Sequence, residues 1–99
     1  MAELIWSEKS VSDLEEIYDY IANDSPNYAR QQVERIWQSA QRLCRFPESG
    51  HRLPEYPQLP HRELVVGNYR VIYRHDPQKD EVMVVTVTHG ARRLGRPGK

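Results

Sequence analysis

The chain has 99 residues, 38% of them hydrophobic, with 14 acidic and 14 basic side chains. That is enough for one domain with a single modest core, and it excludes a separate cofactor domain. The formal net charge of zero removes any overall basic signature for nucleic acid, and no apolar run approaches the roughly 18 residues of a membrane span. The charge is unevenly placed: eight acids stand against two bases up to Glu34, and twelve bases against six acids from Arg35 onward. This asymmetry points to an anionic partner for the C-terminal half, or to two halves that neutralise each other across the fold.

Residues 2–6 form a short apolar run that reads as a first or edge strand. Ser7 or Ser10 then suits a helix N-cap, because its hydroxyl can accept from a free backbone N–H of the first turn. Val11, Leu14, Ile17, Tyr18 and Ile21 recur at helical spacing, with Asp13, Glu15, Glu16 and Asp19 between them. Asn23, Asp24, Ser25 and Pro26 break this pattern. Ser25 is a second N-cap and Pro26 suits the first helical position. Ala29, Val33, Ile36, Trp37, Ala40, Leu43 and Cys44 mark a second amphipathic helix that ends at Phe46 and Pro47. So short a connection makes the two helices an antiparallel hairpin. Cys44 is the only cysteine, so no intrachain disulfide can form, and in an apolar helical stripe it acts as a small hydrophobe rather than a nucleophile. With no signal-peptide-like run at the N-terminus, the expected location is the cytoplasm.

Residues 48–60, with Gly50, Pro54, Pro57 and Pro60, read as a loop. Strand signals follow at 62–66, 69–75 and 82–89, joined by the Gly67-Asn68 turn and a longer turn at 76–80. The expectation is a single α+β domain over 1–99, ordered β-α-α-β-β-β, with an N-terminal helical hairpin packed on a mainly antiparallel four-stranded sheet. Residues 91–99 form a flexible tail.

Side chains alternate along a strand, so Tyr69, Val71 and Tyr73 share one face and Arg70, Ile72 and Arg74 the other. The first set suits the helices. The second sets two guanidinium groups about 13 Å apart on the opposite face. In the last strand Met83, Val85, Val87 and His89 alternate with Val82, Val84, Thr86 and Thr88, and the pattern alone does not say which set faces the helices. Arginine forks match phosphate and carboxylate, and Arg70, Arg74, Arg92 and Arg93 can converge at one side of the sheet. The plainer account pairs such arginines with Glu63 or Glu81 on neighbouring strands. His89 has the titration range for acid–base work, against a structural role at a strand end. His51, His61 and His75 lack metal-ligand spacing and no Gly-rich phosphate loop is present, so neither metal nor cofactor is expected.

Four stretches carry a further signal: SDLEEIYDYIANDSPNYA (12–29), FPESGHRLPE (46–55), RELVVGNYRVIYR (62–74) and VTVTHGARR (85–93). In their order and spacing they resemble the RelE/ParE superfamily of bacterial type II toxins, and the ParE-like branch most closely. The resemblance implies a toxin held inactive by a cognate antitoxin, which would fill an apolar groove around Tyr18, Tyr28, Ile36 and Trp37. RelE-like members cut mRNA in the 70S ribosomal A site. ParE-like members poison DNA gyrase without catalysis of their own. Arg70 and Arg92 match arginines of the RelE-like words, and His89 could stand for the C-terminal histidine of a related branch. The two lysines typical of the RelE-like branch fall at His61 and Glu63, and no tyrosine follows Tyr73. The resemblance therefore favours a gyrase poison whose target-binding edge includes Arg70, Arg74, His89, Arg92 and Arg93. The alternative is a ribosome-dependent mRNA endonuclease using Arg70, His89 and Arg92.

Overall fold

A computed structural model describes residues 1–98. Strand β1 (Glu3–Trp6) leads into helix α1 (Glu8–Ala22). Ser7 caps that helix: its hydroxyl accepts from the Ser10 N–H and donates to the Val85 carbonyl, tying the helix start to the sheet. Helix α2 (Pro26–Gln41) begins behind the Ser25 cap with Pro26 in its first turn, and closes in a single 3-10 turn at Arg42–Cys44. Then come β2 (His51–Arg52), β3 (Arg62–Val66), β4 (Tyr69–Asp76) and β5 (Glu81–His89).

The sheet has five strands in the order β1-β5-β4-β3-β2, antiparallel throughout except for the parallel pair β1–β5. The expected four strands thus become five. The extra one is two residues long, lies within the stretch read as a loop, and pairs His51 with Glu63 and Arg52 with Arg62. Two residues carry no periodicity to read; the pairing exists because the neighbouring chain is anchored to the core. The Tyr73 hydroxyl accepts from the Gly50 N–H at 2.9 Å and donates to the Pro47 carbonyl at 2.8 Å. A Cβ at Gly50 would sit 2.5 Å from the Glu63 carbonyl and 2.6 Å from that hydroxyl, so only glycine admits so close an approach.

The ambiguity over the faces of β5 has a specific resolution. The β4–β5 register slips between Ile72 and Tyr73, whose partners are Thr86 and Val84. Val85 is the extra residue of a bulge, and the alternation of β5 shifts there by one. Val82, Val84 and Val87 therefore all reach the helix side, where they join Val71, Tyr73, Ile36, Ala40, Leu43 and Ala2 in the core. Asp13 of α1 fits the bulge, accepting from the Val87 N–H at 2.9 Å and from the Thr86 hydroxyl. The opposite face is not bare. Ile72 is fully buried there beneath Leu53 and Leu94, and Leu94, within the stretch expected to be a tail, is only 9% exposed.

Candidate partner-binding site

The chemistry-bearing residues gather at the end of the sheet where β4 begins and β5 stops. Tyr69 pairs with His89 and Arg70 with Thr88 across the ladder. Facing residues of an antiparallel pair share a face, so Tyr69 and His89 look toward the helical hairpin while Arg70 looks away from it.

Arg70 is buried. Its Nη1 and Nη2 donate to the two carboxylate oxygens of Glu55 at 2.7 and 2.8 Å, and its Nε donates to Glu63 Oε1 at 2.7 Å. The expectation of two exposed guanidinium groups on the outer face thus holds for Arg74 alone. The plainer pairing with Glu63 is realised for Arg70, and the loop carrying Glu55 adds a second carboxylate. The guanidinium holds the Glu55 carboxyl down at about 2, against an ordinary 4.5, although partial burial opposes the shift. The same bond to Glu55 raises the arginine further above its already high value. Two carboxylates around one guanidinium leave this cluster with a net negative charge.

On the helix side a cavity of about 660 Å³ opens between the hairpin and the end of the sheet. Tyr20 of α1, Tyr28 of α2 and Tyr69 of β4 line it, with Glu16 and Arg92 also in the lining. The His89 ring meets Tyr69 edge to face at 5.6 Å, and its Nδ1 accepts from the Ala91 N–H at 3.1 Å. Burial raises the Tyr69 phenol above its ordinary range, and the nearby Tyr20 and Tyr28 hydroxyls add to the shift.

The five basic residues expected to form one edge are distributed over several surfaces. His89 and Arg92 share the helix-side cavity, and His89 also borders the hollow containing the Arg70 cluster. Arg92 and Arg93 flank a small hollow beneath the returning tail. Arg74 lies toward the far end of β4, beside Asp76, Lys79, Glu81 and Met83. Of the four residues expected to meet an antitoxin, Ile36 is corrected: it is fully buried in the core and offers no surface, because it sits at the centre of the apolar stripe of α2. Tyr18, Tyr28 and Trp37 are exposed. Tyr28 and Trp37 leave α2 on opposite sides, since their spacing turns the helix through about two and a half revolutions, so they do not form one patch. Sequence reasoning passed over Glu55, Tyr20 and Gln32. The short connection between the helices was the available signal for Tyr20, because it brings the end of α1 beside the start of α2.

Comparison with known proteins supplies the family. The model of the ParE toxin of type II toxin–antitoxin systems matches residues 4–94. The chain is 36% identical over 92 residues to toxin RelE2 of Caulobacter vibrioides, covering 93% of this chain and 99% of that one. Its fold is similar to that in the chromosomal ParDE toxin–antitoxin system from P. aeruginosa, with a TM-score of 0.74 and 24% identity over 90% of this chain and 96% of that one. It is also similar to the isolated E. coli RelE toxin, with a TM-score of 0.66 and 16% identity over 94% of this chain and 88% of that one. The match along almost the whole chain and the shared hairpin-on-sheet architecture establish that this chain belongs to the ParE toxin family of the RelE/ParE superfamily.

Proposed function

We propose that this toxin acts by binding DNA gyrase rather than by cutting RNA, and that a cognate antitoxin neutralises it. The observation that carries this reading is the state of Arg70. An RNA-cleaving site needs that guanidinium free to meet a phosphate. Here its Nε, Nη1 and Nη2 are all committed to Glu55 and Glu63, and the surplus carboxylate repels an approaching phosphate. Glu63 also occupies a position where the resemblance to the RNA-cleaving branch calls for a lysine. The exposed groups His89, Arg92 and Arg93 at the sheet end are the ones we assign to target binding, with buried Arg70 beneath them, while Arg74 at the far end of β4 would meet the target as a separate contact. The antitoxin partner is supported by the structural neighbours, which include the ParDE system from P. aeruginosa and an intact E. coli RelBE complex. It is supported also by the exposed aromatics Tyr18, Tyr20, Tyr28 and Trp37. No helix among the described residues is long and apolar enough to cross a membrane, and a gyrase target sets the site of action in the cytoplasm.

One observation favours the second reading, cleavage of mRNA on the ribosome: His89 and Arg92 line the same cavity. The two readings separate in paired assays with the purified toxin, one on gyrase-driven supercoiling and one on a programmed 70S ribosome. Gyrase inhibition without mRNA cuts is the expected result. Discrete A-site cuts with supercoiling unaffected would overturn it.

A further inference from the structure

The cavity between the hairpin and the sheet end has features that the gyrase reading does not use. Tyr20 and Tyr28 are 76% and 54% exposed, yet both turn toward the same hollow as the half-buried Tyr69. Three phenol rings from three different elements thus line one space. Aromatic faces carry a negative quadrupole that attracts cations. Glu16 lines the same hollow and makes no salt bridge among the described residues, whereas Asp13 is already held by Lys9, the Thr86 hydroxyl and the Val87 N–H. Between Lys9 and Arg30 the sequence holds five acids and no base, so the approach along α1 is acidic. Arg92 stands as the one arginine in the lining. Gln32, only 6% exposed, closes the floor of this cavity.

We propose that this cavity receives a lysine or arginine side chain of a partner polypeptide, held among the rings of Tyr20, Tyr28 and Tyr69 with Glu16 as its counter-ion. The inference deepens the antitoxin half of the function proposed above and rests on it for the guest's identity. A single-stranded nucleic acid could also stack on such rings, but Glu16 and the acidic face of α1 oppose its phosphates.

The test uses the full-length protein and two probes, acetyl-Gly-Arg-Gly-amide and its citrulline counterpart, which keeps the shape and loses the charge. Side-chain resonances of Tyr20, Tyr28 and Tyr69 are followed by NMR. The arginine peptide is expected to shift all three, with the citrulline peptide weaker by about tenfold or more. Glu16→Gln and Tyr28→Ala, both at exposed positions, should lose the response while keeping the parent's backbone spectrum. Equal binding of the two peptides would overturn the proposal, as would uridine monophosphate shifting the same rings more strongly than the arginine peptide. Growth arrest and its relief by the product of the neighbouring gene are scored separately. Relief without arginine binding sinks the cavity proposal and leaves the antitoxin reading standing; arginine binding without relief does the reverse.

Discussion

Replacing Arg70 with alanine removes a guanidinium that is 8% exposed and leaves the Glu55 and Glu63 carboxylates facing each other without a cation. Breaking a buried ion pair by deleting one partner costs about 3–5 kcal/mol. The lower end applies here, because the Glu55 side chain keeps 25% of its exposure. The titration of Glu55 points the same way. Its carboxyl is held at about 2 in the folded protein against 4.5 otherwise, so its pairing with Arg70 favours the fold at neutral pH, and the loss expected for Arg70→Ala is about 3 kcal/mol. For a domain of this size that is a fall in Tm of roughly 12–24 °C. The pH dependence has a definite sign. A carboxyl whose folded value is depressed stabilises the fold fully above its unfolded value, and that contribution is lost as the pH falls through the folded one. The parent should therefore lose this stabilisation between pH 4.5 and 2. The variant has no such contribution to lose, so the gap in Tm between them should be wide at neutral pH and mostly closed by about pH 2.5. Thermal melts followed by circular dichroism at both pH values read this directly. The triple variant Arg70→Met, Glu55→Gln, Glu63→Gln removes every charge of the cluster and should recover much of the loss at neutral pH. A variant melting within about 3 °C of the parent at neutral pH, or a gap unchanged in acid, would show that the cluster is not the buried charge lock described above.

Asp13→Ala should cost about 2–3 kcal/mol in urea unfolding, since it strands the Val87 N–H and the Thr86 hydroxyl at the bulge. Lys9→Ala, which removes only the exposed partner of Asp13, should cost well under about 1 kcal/mol; equal losses would contradict the bulge account. Gly50→Ala should destabilise strongly in urea unfolding, because the added Cβ meets the Glu63 carbonyl and the Tyr73 ring edge and hydroxyl, and Tyr73→Phe should not rescue it, since the carbonyl and the ring edge remain. His89→Gln, which keeps size and polarity but cannot titrate, should retain most of the toxicity and leave gyrase inhibition largely intact, where a catalytic histidine would lose roughly 10²–10⁴-fold in rate.

Local pattern alone determined a large part of this molecule. The Ser25 cap, Pro26 in the first turn of α2, the apolar stripes of both helices and the Gly67-Asn68 turn each act over a few residues, so their outcome could be read without knowing what packs where, whereas the choice of Ser7 over Ser10 as the first cap came with the fold. The order and spacing of residues 12–29, 46–55, 62–74 and 85–93 likewise suffice to suggest the family. Three features required the tertiary structure. The bulge at Val85 depends on matching β5 to β4 while Asp13 reaches in from a helix 73 residues away in sequence. The strand β2 forms because Tyr73 draws residues 47–50 against the core, which no two-residue pattern can announce. Above all, the fate of Arg70 was undecidable from its own strand. Alternation set it on the outer face, but its availability turned on Glu55, a loop residue 15 positions away. A charged side chain's role depends on which opposite charges the fold brings within hydrogen-bonding distance, and that distance belongs to the assembled sheet and its covering loop rather than to the sequence around the arginine.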